Sequence, residues 1–170
     1  MSDRFVYTST LDPLARPLLE GLLHEYDSRY GSLFNPGGAA VELNRDPPEA
    51  FAPPRGAFVL LVRDGRAIGG GAFMRYDDET AEFKRIWTDA ALRRQGLARR
   101  VLAALESLAW RQGYRRIYLT TGFRQPEAAG LYFDTGYTAL FDPNEDLQAR
   151  RSLPFEKLLV PRAEDLIAAE

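Results

Sequence analysis

The feature that most constrains the fold is a succession of strand, glycine-containing loop, helix and strand in the middle of the chain. The run Ala81 to Thr88 has the composition of a strand. The segment Leu97 to Gln112 has apolar residues on one helical face, and Gly113 follows it, as is common at a helix C-terminus. A second strand is predicted at Ile117 to Thr120. Two strands joined by a helix at this spacing form a right-handed crossover, so we expect them to be parallel.

The loop before this helix carries an unusual charge. Arginines occupy positions 93 and 94 before the first turn and positions 99 and 100 within it, with no acidic residue among them. The first turn of a helix has unpaired N–H groups and a partial positive charge, so cations are normally unfavourable there. A multiply charged anion would supply the missing negative charge, and Gly96 would let the backbone approach it closely. The sequence therefore predicts an anion site at the carboxyl ends of the parallel strands.

Composition narrows the class of protein. The 170 residues fit a single domain, and the net charge of −2 gives no field that would attract nucleic acid or an anionic membrane. The chain has no cysteine, which excludes disulfides and thiolate chemistry, and its single histidine cannot make a metal site. The N-terminus lacks a signal-peptide pattern, and the densest apolar run is far too short to span a bilayer. These features predict a soluble cytoplasmic protein that binds neither nucleic acid nor membranes.

The other elements are read from periodicity and turn residues. Further strands are predicted at Arg4 to Thr8, Ala57 to Val62, Ala67 to Tyr76, Tyr137 to Phe141 and Leu153 to Leu159. A first helix is predicted to begin at Asp12-Pro13 and to bury the stripe Leu14, Leu18, Leu22, Tyr26 and Tyr30. Two shorter helices are predicted at Pro126 to Phe133 and at residues 163 to 169.

Between the first helix and the strand at Ala57, residues 32 to 54 are rich in glycine and proline. We expect at most one short helix in this segment, near Val41 to Asn44 or near Glu49 to Phe51. A long irregular stretch inside a compact domain is either disordered or functional, and a mobile loop over a site is the interpretation that we favour. His24, on the first helix, is expected to pack against the apolar stripe.

Two patterns bear on how a ligand would lie against the sheet. The run Gly69-Gly70-Gly71 is expected to serve close packing or a bulge, and the alternative is room for a ligand. Strict alternation puts Phe83 and Ile86 on opposite faces of their strand. If both belong to the core, an extra residue at a β-bulge must change the phase, and it would free backbone N–H groups for a ligand carbonyl. The alternative is that Trp87 shares the core face with Phe83.

Two motifs, in this order, carry a resemblance to a known family. The first is Arg93-x-x-Gly96-x-Ala98 between a strand and a helix, and the second is Gln125-x-x-Ala128-x-x-Leu131-Tyr132-x-x-x-Gly136-Tyr137. Together they resemble the acyl-CoA signature and the second conserved stretch of the GNAT superfamily of N-acetyltransferases. The chain departs mildly from the usual pattern at Ala98, Gln125 and Tyr137. A single motif of this size would be weak, whereas two in the right order are stronger.

The resemblance implies an α/β fold with a mixed, mostly antiparallel central sheet, a parallel strand–helix–strand crossover and flanking helices. One domain would span residues 1–170, with the acceptor side at about 12–54 and the acetyl-CoA core at about 57–141. The resemblance also implies acetyl-CoA as co-substrate and an amine, on a small molecule or a peptide, as acceptor. It allows a homodimer.

The resemblance also implies which residues bind acetyl-CoA. The pyrophosphate would lie on backbone N–H groups of the signature loop, which runs through Arg94, Gln95, Gly96, Leu97 and Ala98, with Arg93 beside it. Arg99 or Arg100 could reach a phosphate, or could lie on a solvated helix face. The pantetheine arm would pair, as an added strand does, with the backbone of Ile86, Trp87 and Thr88. Gln125 belongs to the same binding set. These roles raise the expectation of a bulge between Phe83 and Ile86.

Catalysis by direct transfer needs three roles. Glu82, eleven positions before Arg93, matches a strand carboxylate of many family members and is the candidate general base, unless it is a surface residue paired with Lys84 or Arg85. A freed backbone N–H near Ile86 would stabilise the oxyanion. Tyr132 would donate a hydrogen bond to the departing thiolate. Glu25, Tyr30 and Glu42 fall where the acceptor would enter.

Two other functions remain open at this point. One is a catalytically silent acyl-CoA-binding module with a regulatory or interaction role. The other is a nucleotide-phosphate site of another kind, which would bind ATP or NAD in competition with CoA. The residues that would identify the acceptor amine carry no recognisable signature.

Overall fold

The computed structural model describes residues 2–33 and 35–161. In this part of the chain the strands are β1 Asp3–Tyr7, β2 Ala57–Arg63, β3 Arg66–Arg75, β4 Thr80–Thr88, β5 Arg116–Gly122, β6 Thr138–Ala139 and β7 Ser152–Leu158. The α-helices are α1 Arg16–Tyr30, α2 Ala39–Leu43, α3 Leu97–Arg111, α4 Pro126–Asp134 and α5 Leu147–Arg150. The predicted helix at residues 163 to 169 lies outside the described residues.

The strands form one sheet in the order β1-β2-β3-β4-β5-β7-β6. Every neighbouring pair in it is antiparallel except β4 and β5, which are parallel and are joined through α3. This arrangement confirms the predicted crossover. It also confirms the expected mixed, mostly antiparallel sheet with flanking helices.

Each face of the sheet has its own hydrophobic core. On one face, α3 packs its buried stripe, which includes Val101 and Leu105, against Phe73 and Phe83. On the other face, Leu18 and Leu22 of α1 lie in a second cluster with residues of β2. The sheet is thus covered on both sides, which explains why β2 is apolar along almost its whole length.

Local signals placed the helix ends correctly. The Asp12 carboxylate accepts a hydrogen bond from the Leu14 N–H at 2.9 Å and caps a 3-10 turn, Pro13–Ala15, that leads into α1. Gly113 follows α3 with a φ of 102°, in the left-handed region that glycine adopts at no steric cost.

The glycine run in β3 serves close packing, as expected. A Cβ on Gly71 would lie 2.6 Å from Ile86 Cδ1 and 2.9 Å from Leu105 Cδ1. A Cβ on Gly70 would lie 2.6 Å from the Val59 carbonyl oxygen. The missing side chains therefore allow β4 and α3 to approach β3 closely.

Two predictions about the first third of the chain were wrong. Residues 32 to 54 contain two short helical segments, α2 and a 3-10 turn at Pro48–Phe51, rather than at most one. The second segment forms because it buries Phe51, which is 1% exposed, against the α1 core. His24 is exposed rather than packed. It follows buried Leu22 by two residues, which places it on the opposite side of the helix.

The C-terminal part differs from the prediction mainly in length. The strand expected at Tyr137 to Phe141 is reduced to the two residues of β6. The loop that follows contains α5, which begins where the Asp146 carboxylate accepts a hydrogen bond from the Gln148 N–H at 3.1 Å. Among the described residues, no helix is both long enough and apolar enough to cross a membrane.

Candidate active site

Strand β4 contains a bulge at Arg85. Gly70 of β3 faces Trp87 and Ala72 faces Lys84, so β4 has one residue more than β3 in this interval. Arg85 has a φ of 61°, in the left-handed region. Phe83 and Ile86 consequently pack against the same core, whereas Trp87 points to the α1 face. The predicted bulge is confirmed, and the alternative in which Trp87 shares the core face with Phe83 is wrong.

A cleft opens between β4 and β5. The two strands pair only from Thr80 to Glu82 of β4 and from Arg116 to Tyr118 of β5. Beyond these residues β4 stays paired with β3, and β5 with β7, but their facing edges are unpaired within the described residues. An unpaired edge offers backbone N–H and C=O groups to an extended ligand.

A cavity of about 620 Å³ occupies this cleft. Its wall includes Ile86, Trp87 and Thr88 of β4, and Thr120 to Gly122 of β5. Residues of α1, α2 and α4 complete the wall, and Arg93 and Ala98 bring the signature loop to one end. The structure thus brings together one side chain or more from each predicted cofactor segment.

The N-terminus of α3 lies at that end and is open. Gly96 precedes the helix with a φ of 72°, and no side chain caps the first turn. The backbone N–H groups of residues 96 to 99 have no acceptor within the described part of the chain. Consecutive free N–H groups at a helix N-terminus are suited to an anion, as the sequence predicted.

Part of the negative charge near this loop comes from β1. The Asp3 carboxylate contacts Arg100 at 2.7 Å and also pairs with Arg63, at 2.7 and 2.8 Å. These hydrogen bonds, first the one from Arg63, hold the pKa of Asp3 well below its usual range. Arg63 also donates to the Gln95 side chain at 3.1 Å. Arg100 is therefore a structural cation rather than one free to reach a phosphate.

The other arginines differ in their partners. Arg99 lies 3.6 Å from Asp134, with both side chains more than half exposed. Arg93 and Arg94 form no ion pair with the residues that the structure describes. Of the four arginines at the helix N-terminus, these two are the ones left for an anion.

Tyr132 lies in the wall of the cavity. It comes from α4, is 6% exposed, and packs its ring against Tyr137 and Phe155 at centroid distances of 5.5 and 5.4 Å. Its hydroxyl makes no hydrogen bond to any residue that the structure describes. Burial, assisted by Tyr26 and Glu25, raises the pKa of Tyr132 far above its ordinary value. The phenol is therefore protonated at neutral pH and can donate a hydrogen bond into the cavity.

Gln125 connects α4 to α1. Its side-chain oxygen accepts hydrogen bonds from the Tyr30 hydroxyl at 3.0 Å and from the Gly122 N–H at 3.2 Å. Its amide donates to Glu25 at 3.3 Å. This network places Glu25 and Tyr30 in the cavity wall with Glu42, where the sequence analysis expected the acceptor to enter. In the sequence, the one indication of the contact between Gln125 and α1 was the helical spacing that placed Tyr30 on the apolar stripe of that helix.

Glu82 lies just before the point where the two strands separate. It pairs with Met74 of β3 and with Tyr118 of β5, and its side chain lies on the sheet face opposite that of Phe83. Lys84 lines the cavity, whereas Glu82 is not one of the described residues that line it. Burial raises the pKa of Glu82, and the nearby Lys84 charge opposes this shift. Its role as general base stays a prediction.

Comparison with known proteins assigns this site to a family. A sequence model of the acetyltransferase (GNAT) family matches residues 19–137, more than half of the chain and all of the cleft-forming elements β4, α3 and β5. The chain belongs to the GNAT acetyltransferase family. The matched residues include the cleft beside the bulged β4 and the open N-terminus of α3.

Individual relatives are distant. The chain is 23% identical over 125 residues to a protein of Escherichia coli (strain K12) named "Uncharacterized N-acetyltransferase YjgM", covering 71% of this chain and 75% of that protein. A GNAT acetyltransferase of Staphylococcus aureus Mu50 has a similar structure, with a TM-score of 0.73, 15% identity, and coverage of 94% and 100% of the two chains. A GNAT acetyltransferase of Elizabethkingia anophelis, solved with acetyl-CoA bound, matches with a TM-score of 0.64 and 16% identity, over 92% and 98%. These structures share the GNAT fold with this chain.

Proposed function

We propose that this GNAT protein transfers an acetyl group from acetyl-CoA to a primary amine by direct attack on the thioester. The observation that carries the proposal is the cleft itself. It offers two unpaired strand edges that lead to a helix N-terminus whose N–H groups are free. An extended arm that ends in a pyrophosphate matches both features.

In this proposal acetyl-CoA lies along β4. The backbone of Ile86 to Thr88 pairs with the pantetheine arm, and the N–H groups of residues 94 to 98 bind the pyrophosphate, with Arg93 beside it. Gln125 contributes by holding the wall of the cavity through its contacts to Tyr30 and Gly122. The acetyl-CoA complex of the Elizabethkingia anophelis protein supports acetyl-CoA as the co-substrate.

The chemistry follows from the residues around the cleft. The neutral amine forms a C–N bond to the thioester carbonyl carbon, and its proton passes to Glu82, directly or through water. The Ile86 N–H at the bulge stabilises the oxyanion of the tetrahedral intermediate. The C–S bond then breaks, and Tyr132 donates a hydrogen bond to the departing thiolate. Full proton transfer from Tyr132 would be uphill by about 2 kcal/mol even for an unperturbed tyrosine, so a hydrogen bond is the proposed role.

The test measures CoA release with a panel of amines, for the wild type and for Tyr132→Phe. Release that requires an amine, and that falls in the variant, supports the enzyme. Tight acetyl-CoA binding without turnover on any amine would instead indicate the catalytically silent binding module. Calorimetry with ATP and NAD tests the nucleotide alternative, which predicts that they compete with CoA.

The remaining expectations concern the setting of the enzyme. We propose one catalytic domain over residues 1–170, with the acceptor entering past residues 12–54 and acetyl-CoA bound by residues 57–141. The acceptor is an amine on a small molecule or a peptide, and a cytoplasmic homodimer is the proposed assembly. Light scattering of the purified protein would measure its oligomeric state.

A further inference from the structure

Most charged side chains near the α1–α2 end of the cavity are already paired with one another. Three carboxylate–cation pairs lie in or beside this wall: Glu42 with Arg45 at 2.8 Å, Asp46 with Lys84 at 2.7 Å and Glu25 with Arg29 at 3.6 Å. The first two pairs are neutral, whereas Glu25 shares its cation Arg29 with a second carboxylate, Glu127. Any cation that they do not neutralise is therefore informative about the ligand.

Arg85 is such a cation. The bulge residue lines the cavity and is partly buried, yet no carboxylate of the described residues lies within ion-pair distance of it. Asp46 acts on it only at longer range, because that carboxylate is bound to Lys84. Burial lowers the pKa of Arg85, and the charges of Asp46 and Tyr26 oppose this shift only in part.

The Arg85 guanidinium is held in place but is not saturated. One terminal nitrogen donates to the Leu43 carbonyl oxygen, and the group lies over the Phe51 ring, 5.0 Å from its centroid. A guanidinium has five N–H donors in a planar fork. None of the Arg85 nitrogens is among the buried atoms without a partner, so its unused donors remain accessible. A fixed, accessible guanidinium on the wall of a cavity is suited to bind a carboxylate through two hydrogen bonds.

A second cation lies farther along the same cavity. Arg151 lines it and contacts the Leu33 carbonyl oxygen at 3.5 Å, and it too has no carboxylate partner within the described residues. Glu25 also lines the cavity, and its charge acts on Tyr132; its partner Arg29 is shared with Glu127. The cavity thus combines an acidic group close to the proposed leaving-group tyrosine with uncompensated cations elsewhere on its wall.

We propose that the acceptor amine also carries a carboxylate, and that Arg85 binds this carboxylate. The inference rests on the proposed N-acetyltransferase function and narrows its substrate class to small amino-acid-like molecules. Glu25 would attract the amine toward Tyr132 while Arg85 fixes the opposite end. Arg85 is a specificity-determining residue in this scheme and takes no part in proton transfer.

The experiment compares free L-amino acids with their C-terminal amides as acceptors, because the amide keeps the amine and removes the negative charge. kcat/KM is measured for the wild type, Arg85→Gln and Arg85→Lys. Arg66→Gln is the matched control, since it removes the same charge from an exposed position at the start of β3. Each substrate is compared between enzymes, so the different basicity of an acid and its amide cancels.

Arg85→Gln is expected to lower kcat/KM for the amino acids by roughly 10- to 100-fold, the value of a charge-assisted hydrogen-bonded pair, and for the amides by less than about threefold. The kcat/KM of Arg85→Lys for the amino acids should lie between those of the wild type and Arg85→Gln, because lysine keeps the charge but lacks the planar fork of N–H donors. Arg66→Gln should match the wild type on both substrates. Calorimetry should give the same acetyl-CoA affinity for all four proteins.

Two results would overturn the inference and leave the proposed function standing. One is a wild type that acetylates amides or plain alkylamines but not amino acids. The other is an equal loss on acids and amides in Arg85→Gln, which would show that Arg85 only supports Leu43 and Phe51. Acetyl-CoA binding without acetylation of any amine would overturn the proposed function, and the inference with it.

Discussion

Replacing Tyr132 with phenylalanine tests the proposed chemistry most directly, because the structure separates the hydroxyl's possible roles. The ring packs against Tyr137 and Phe155, whereas the hydroxyl has no hydrogen-bond partner within the described residues. Phenylalanine keeps the ring contacts and removes only the group that faces the cavity. The free energy of unfolding should therefore change by less than about 0.5 kcal/mol.

The effect on turnover should be much larger. A hydrogen bond to a charged partner is worth about 1.5–3 kcal/mol, which corresponds to a roughly 10- to 100-fold lower kcat if the thiolate is that partner. Because this charge develops only as the C–S bond breaks, KM for acetyl-CoA should stay within about twofold. Steady-state CoA release and urea denaturation of the same preparations measure both quantities.

Tyr137→Phe is the matched control. The Tyr137 ring lies 5.5 Å from that of Tyr132, and its hydroxyl donates to the buried Glu106 carboxylate at 2.8 Å. Removing it should cost about 1–3 kcal/mol of stability, because Glu106 loses a buried hydrogen bond, while kcat at 25 °C stays near the wild-type value. A Tyr132→Phe enzyme with unchanged kcat, or one whose kcat loss follows a loss of stability, would refute the leaving-group role.

Three further predictions test the rest of the site. Gly96→Ala should weaken acetyl-CoA binding, measured by calorimetry, and cost about 1–2 kcal/mol of stability, since the φ of 72° at this position disfavours a Cβ. Gly65→Ala is the control: with a φ of 76° in a remote turn, it should lose stability but keep its affinity for acetyl-CoA. Equal affinities in both variants would argue against the anion site. Glu82→Gln should lower the rate chiefly at pH values where the amine is mostly protonated; an equal loss at every pH, or none, would indicate a structural role. Asp3 has a lowered pKa in the folded protein, so its stabilising effect is fully present above the ordinary carboxyl pKa. It weakens as pH falls below that value and is lost as pH falls through the lowered pKa of the folded state. Asp3→Asn should therefore reduce stability at pH 7 more than at pH 3 in urea denaturation, and equal losses would contradict the paired carboxylate.

The parts of the site that sequence reasoning anticipated are those with a local pattern. The bulge followed from the odd spacing of Phe83 and Ile86, two apolar residues that could share a core only if the strand changed phase. The open helix N-terminus, where we propose that an anion binds, was indicated by Gly96 and its neighbouring arginines. In both cases the residues that indicate the feature lie within a few positions of it, so the local backbone geometry largely determines how they are arranged.

The features that the sequence did not reveal depend on distant partners. Asp3 reaches Arg100 across 97 positions, and Gln125 reaches Glu25 across 100, and no periodicity links either pair. The short helical segments between residues 39 and 51 pack Leu43 and Phe51 against the α1 core, and this packing depends on how α1 lies on the sheet. The point at which β4 and β5 separate is likewise set by packing rather than by a residue pattern.

This difference in range explains why the cofactor can be proposed from the sequence and the acceptor cannot. The proposed acetyl-CoA side consists mainly of backbone groups on β4 and at the start of α3. The bulge and the glycine that expose them lie in neighbouring segments of the chain. The acceptor side consists of side chains from α1, α2, β4 and the start of β7 that meet only after folding. Substitutions at these side chains would alter the charge of the pocket without disturbing the backbone that holds the cofactor. In the proposed scheme, specificity for the acceptor depends on the charges that remain unpaired in the folded pocket. Arg85 links the two proposed sides, because the bulge that turns Ile86 toward the α3 core also places Arg85 in the wall of the cavity.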